Sequence, residues 1–215
     1  MTKYFLLAVL VGLVANVAVA LSAPAHKTLT LGAKPNPVVF GRTVGLSGRL
    51  SGAKPAGKTV DVQADAFPYE GRFTKVASAV TAANGAWVAS VKPALNTRYR
   101  VHQGSTRSGI VTVLVRIRVS LKLSDRTPAA GHRVRFSGRA CPQHDGARVR
   151  IQRRSRTRKW RTVGRTSLKD LAGSTCSRYS KRLRVFHDGT YRTLVISPSG
   201  DHANGLSRRR RVDAH

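Results

Sequence analysis

The sequence predicts an all-β chain of two tandem β-sandwich domains behind an N-terminal signal peptide. Three observations carry this expectation. The chain repeats itself, FGRTVGLSGRL at 40–50 returning as AGHRVRFSGRA at 130–140. Short runs alternate apolar with polar residues between turn residues, and no segment sustains a helical period. Lys3 is followed by an apolar run, Tyr4 to Leu21, that ends among small residues.

The N-terminal segment, residues 1–25, offers Ala18-Val19-Ala20 and Ala23-Pro24-Ala25 as small-residue cleavage sites. An uncleaved membrane anchor is the alternative, because the apolar run approaches the ~18 residues a spanning helix needs. The remainder is expected to be secreted or associated with the cell envelope. No Cys follows the apolar run, which argues against lipid attachment.

The duplication continues in order. Val60-Asp61-Val62-Gln63 is matched by Val149-Arg150-Ile151-Gln152, and Phe73-Thr74-Lys75-Val76 by Trp160-Arg161-Thr162-Val163. Tyr99-Arg100-Val101 is matched by Tyr191-Arg192-Thr193. The copies lie about 90 residues apart, too far for a solenoid unit of about 20–50 residues. We expect domains at 26–116 and 117–215. Val44–Gly48 and Val134–Gly138 read as half-buried strands, as do Thr59–Gln63 and Arg148–Gln152. Asn84-Gly85 is a hairpin signal before the strand Ala86–Ala89. The β-branched run Val111–Leu123 reads as the last strand of one domain flowing into the first strand of the next. That leaves little linker and predicts a stiff tandem.

The order SGRL, GKTVDVQ, FTKVAS, GAWVASV, TRYRV, SGIVTV in the first copy resembles bacterial Ig-like repeats of secreted and cell-surface proteins. The second copy, SGRACP, ARVRIQRR, KWRTVG, GTYRTLV, GLSRRRRV, is similar. The resemblance implies a tandem of immunoglobulin- or fibronectin type III-like sandwiches. It implies no shared functional residues, since such modules serve as spacers, adhesins and binding appendages alike. It does imply a structural role for Tyr99 and Tyr191, each near the start of a late strand, where a tyrosine corner bonds back to the backbone.

Cys141 and Cys176 are the two cysteines of the chain, both in the second copy. In an exported protein an even count reads as one disulfide. Two free thiols or a metal pair are the alternatives. The antibody inter-sheet pairing is not reproduced, so the bond is expected to tie loop to loop.

Charge dominates the composition. The chain has 39 Lys and Arg against 9 Asp and Glu, a net charge of +30. The excess lies mainly in the second copy. Codon bias toward Arg is one explanation, and a polyanionic partner is the other. Arg alternates with apolar residues at Arg116-Ile117-Arg118-Val119, Arg133-Val134-Arg135-Phe136 and Arg182-Leu183-Arg184-Val185. With the apolar residues inward, these six Arg are expected to line one outer sheet face. Arg153, Arg154, Arg156 and Arg158 form a second cluster before Trp160, and Arg208–Arg211 a third. Trp160 is read as a core residue because its repeat partner is Phe73.

Catalysis is disfavoured by composition. Glu70 is the sole Glu, and no HExxH, G-x-S-x-G or phosphate-binding Gly loop is present. His132, His144 and His187 could meet Ser or Asp only through the fold, which spacing does not reveal, and His144-Asp145-Gly146 reads as a turn. Calcium needs several oxygen ligands, and no acidic loop supplies them. No enzyme activity, cofactor or metal is therefore expected. The expected partner is an anionic envelope polymer, an acidic glycan or lipid headgroups. A structural spacer or protein-interaction module without its own ligand is the alternative. Specific nucleic-acid binding is the third reading, and export argues against it.

Overall fold

A computed structural model describes residues 26–215. The expected signal peptide lies outside the described residues. Within them the chain is all-β, folded into several sheets in a sandwich-like arrangement.

In the first copy, Val44–Arg49 lies between Gly32–Lys34 and Ala86–Val91. A second sheet runs Thr74–Val80, Thr59–Ala66, Thr97–Gln103 and Thr106–Arg107, with Val111–Val113 also pairing Thr97–Gln103. The alternation predicted from sequence closes these sheets on one core. Val44, Leu46, Val60, Val62, Val101 and Val113 are all fully buried. The second copy repeats the plan. Arg133–Cys141 pairs with Arg118–Val119, Lys122–Leu123 and Ser177–Arg184. Trp160–Ser167, Arg148–Arg154 and Gly189–Val195 form the facing sheet, edged by Gly205–Leu206 and Arg210–Val212. Phe136 and Tyr191 meet between the two sheets with ring centroids 5.1 Å apart.

Two details recur at matched positions. A register shift falls between Val62 and Gln63 and again between Ile151 and Gln152. The glycine of each SGR motif also stands opposite an aromatic on the neighbouring strand, Gly48 against Trp87 and Gly138 against Tyr179. A Cβ on Gly48 would lie 2.9 Å from Trp87 and also strike the Thr30 carbonyl. One on Gly138 would lie 2.8 Å from the Tyr179 ring and also strike the Ser120 carbonyl. The motif therefore repeats because the backbone there must lie flat beneath an aromatic ring.

The run Val111–Leu123 is not one strand. It divides into Val111–Val113, Val115–Arg116, Arg118–Val119 and Lys122–Leu123. Val113 and Val115 enter the first core, whereas Ile117 and Val119 enter the second. The chain changes hydrogen-bonding partner at each step because it is crossing between cores. Val115–Arg116 pairs in parallel with Val38–Val39, and Arg116 also bridges to Ala203.

The loop 197–204 locks the crossing. Asn96 donates its backbone N–H to the Asp201 carbonyl at 2.8 Å and its side-chain amide to the Gly200 carbonyl at 2.8 Å. Its Oδ1 accepts from the Val115 N–H at 2.7 Å. Ala203 N–H donates to the Val115 carbonyl, and Ile117 N–H to the Ala203 carbonyl. Asn96 is buried, so these bonds satisfy groups that would otherwise be stranded without water.

Cys141 and Cys176 are bonded, with Cα atoms 4.4 Å apart. The bond does not tie loop to loop as expected. Cys141 ends one strand and Cys176 immediately precedes its antiparallel neighbour, one step beyond the pair Ala140 and Ser177.

Candidate functional site

The basic face is built by strand pairing. Arg133 stands opposite Arg184, Arg135 opposite Arg182 and Arg139 opposite Arg178. All six are exposed. Residues two apart on a strand share a face, and cross-strand partners share it too. The result is a ladder of three Arg–Arg rungs. Arg118 extends it, lying opposite Cys141, two residues past Arg139. Arg139 and Arg178 were missed in the sequence because their neighbours Ala140 and Ser177 break the Arg–apolar alternation. The pairing register, invisible in sequence, aligns them.

Arg116 does not join this face. It lies in the two-stranded sheet with Val39, and its carbonyl accepts from Phe40 N–H at 2.9 Å. The reason is the core crossing at that point, which takes Arg116 off the strand plan of Arg118.

Among the described residues, no carboxylate forms an ion pair with the ladder. Among the described residues, the Lys and Arg paired with carboxylates are Arg72, Lys75 and Arg211. Within the ladder, Arg178 Nε donates to the Asp170 carbonyl at 3.1 Å, and Arg184 to the Gly131 carbonyl at 3.3 Å. These contacts orient the side chains without cancelling charge.

The second cluster also assembles. Arg153, Arg154, Arg156 and Arg158 line one open groove of about 940 Å³, joined by Arg161. Val163 and the exposed Phe186 supply an apolar wall. Arg153 is paired with Tyr191, so it shares the inward face of its sheet and points into the end of the sandwich. Arg154 Nε is buried without a partner. Arg158 holds φ at 60° at the hairpin tip, a left-handed conformation that favours glycine. A smaller adjoining cavity shares Arg153 and Phe186 and reaches Arg184, the end of the ladder. Groove and ladder therefore form one basic tract.

Trp160 is not a core residue. It lies half-buried on the outer face, with the Arg192 guanidinium 4.0 Å above its ring and Arg209 at 5.6 Å. Phe73 has the same position beneath Arg100, at 4.1 Å. The shared role of Trp160 and Phe73 is a cation–π platform rather than core packing.

Tyr99 and Tyr191 are buried, yet neither hydroxyl reaches back to a backbone carbonyl among the described residues. The tyrosine that makes such a bond is Tyr179, which donates to the Ser120 carbonyl at 2.7 Å and meets Thr193 Oγ1 at 2.8 Å. Burial pushes its phenol well above the ordinary range, against the Thr193 hydrogen bond.

One of the candidate histidines, His144, meets an Asp that no spacing in the sequence pairs with it. His144, Asp201 and His202 converge where loop 197–204 meets the rest of the chain. Asp201 Oδ2 lies 3.4 Å from His144 Nε2 and 3.0 Å from His202 Nδ1. Residues 144 and 201 are far apart in sequence and carry no motif, so spacing held no signal.

Compared with known proteins, no family model matches the chain, and no curated protein is significantly similar to it.

Proposed function

We propose that the chain is an exported, non-enzymatic tandem of two Ig-like β-sandwich domains, 26–116 and 117–215, that attaches to anionic polymer at or outside the cell envelope. The supporting observation is the ladder of Arg133/Arg184, Arg135/Arg182 and Arg139/Arg178, which has no carboxylate partner. Like charges directly opposite on a sheet destabilise it. A bound polyanion relieves that repulsion, and guanidinium matches phosphate and carboxylate through its bidentate fork. The groove containing Arg153, Arg154, Arg156 and Arg158 continues the tract. The change of core between Val115 and Ile117 supports the domain division.

The test is retention on isolated cell envelopes. Binding is expected at low salt and lost near 0.5 M NaCl, where the screening length falls to about 4 Å. Charge reversal by Arg133→Glu, Arg135→Glu and Arg184→Glu is expected to abolish retention. Retention indifferent to both salt and charge reversal would leave the spacer reading. Retention of nucleic acid at physiological salt in a filter assay would favour a nucleic-acid partner instead.

A further inference from the structure

The geometry points to a transition-metal site, best suited to Zn²⁺, formed by His144 Nε2, Asp201 Oδ2 and His202 Nδ1. The three ligand atoms lie within 4.8 Å of one another. Two of the separations are 3.4 and 3.0 Å. Around a tetrahedral Zn²⁺ with bonds of about 2.0–2.2 Å, neighbouring ligand atoms stand about 3.3 Å apart. These two separations fall on either side of that value.

The far sides of the imidazoles explain why the near sides are free. His144 Nδ1 faces the Pro142 carbonyl at 3.0 Å, and His202 Nε2 faces the Ala94 carbonyl at 2.8 Å. A carbonyl only accepts, so each of these nitrogens carries the proton. In the neutral ring the other nitrogen then presents a lone pair. Both lone pairs are aimed at Asp201, and a carboxylate cannot donate to them. His144 Nε2 and His202 Nδ1 are accordingly buried without hydrogen-bond partners. The two side chains are only 5% and 1% exposed, so water does not substitute freely. A cation between the three atoms satisfies all of them at once.

The surroundings have the form of a metal site. Asp201 Oδ1 accepts from Ser199 Oγ at 2.6 Å and from Ser197 Oγ at 3.2 Å, which leaves Oδ2 directed at the imidazoles. Such outer partners orient ligands and raise affinity. His144 is fixed through its backbone N–H, which donates to Ser177 Oγ at 2.8 Å, next to the disulfide. Asp201 is 22% exposed, which leaves room for water as a fourth ligand. Two imidazoles and one carboxylate suit Zn²⁺ and not Ca²⁺ or Mg²⁺. The net charge of +30 opposes a cation at long range, but screening beyond about 8 Å limits that opposition. The site also has a structural consequence. His202 contacts Ala94 and lies edge-on to Phe40 at 5.9 Å, so a bound ion would pin the loop that joins the two copies.

The test is isothermal titration of Zn²⁺ into the full chain after chelator treatment, with Mg²⁺ and Ca²⁺ as controls. One equivalent of Zn²⁺ is expected to bind, with a rise in melting midpoint and no response to the controls. Co²⁺ in place of Zn²⁺ is expected to give tetrahedral visible absorption bands. His144→Gln and Asp201→Asn are expected to remove the binding. Ser199→Ala, which keeps all three ligands, is expected to weaken it about 10-fold. A double variant of the exposed histidines, His132→Gln with His187→Gln, is expected to leave it intact. The proposal is overturned by wild-type protein that takes up no Zn²⁺, in which case the cluster is a proton-holding clamp. Loss of binding in the exposed-histidine variant, with retention in His144→Gln and Asp201→Asn, overturns it equally.

Discussion

Arg192 lies over Trp160, its guanidinium carbon 4.0 Å from the ring centre, while its Nε donates to Gln152 Oε1 at 2.9 Å. Arg100 does the same over Phe73 at 4.1 Å, donating to Gln63 at 2.8 Å. The Gln and Arg are cross-strand partners in both copies. The triad of Gln, Arg and aromatic thus recurs as a unit on the outer sheet face. Arg192→Ala is expected to destabilise the chain by about 1–2 kcal/mol, the scale of a partly desolvated cation–π contact. Arg192→Lys should recover little of this, since an ammonium lacks the planar stack and the oriented N–H. Urea unfolding midpoints of the three proteins test this, and a full rescue by Lys would show that charge alone matters.

Gly138→Ala and Gly48→Ala are expected to destabilise each by about 1–3 kcal/mol, the usual cost of overpacking. In both, the new methyl meets backbone as well as an aromatic, so a simple rotamer change gives no relief. Gly146 provides the control for local crowding, with nothing near its missing Cβ, although its φ of +80° carries a backbone penalty of its own. Thermal denaturation of the three variants ranks these effects.

Tyr179→Phe removes the hydroxyl that joins the Ser120 carbonyl and Thr193 Oγ1. A loss of about 1–2 kcal/mol is expected at neutral pH. Burial raises the folded-state ionisation above the ordinary value of 10.0. A raised value stabilises fully below the unfolded value and is lost as pH climbs through the range above it. The gap between wild type and Tyr179→Phe should therefore shrink above pH 10. Chemical denaturation at pH 7 and pH 11 measures it.

Replacing both cysteines by Ser, Cys141→Ser with Cys176→Ser, is expected to cost about 3–4 kcal/mol by loop closure, for a bond spanning 35 residues. The bond anchors Ser177, and through it His144. The double variant should therefore also bind Zn²⁺ more weakly than wild type, as calorimetry would show.

Much of the fold was legible because β-structure has a period of two. Val134, Phe136, Val149 and Ile151 announced an inward face, and all four are buried. The matched motifs supplied more, since Gln63, Arg100 and Phe73 occupy the same places in their sheet as Gln152, Arg192 and Trp160. The Arg–apolar alternation named four of the six rung residues for the same reason. Arg139 and Arg178 fell outside it because register depends on which strands pair.

The sequence by itself determined the strand content, the internal matches of motif and the concentration of positive charge in the second half. These are local properties of alternation and composition, and they survive without knowledge of contacts. Only the tertiary structure decided the rest. It moved Arg116 off the basic face, placed Trp160 under Arg192 rather than in the core, and made the disulfide link the end of one strand to the residue just before its neighbour. It also brought His144 to Asp201 and His202 across 57 residues of chain. Each outcome depends on groups distant in sequence sharing one small volume, where burial, lone pairs and packing act together.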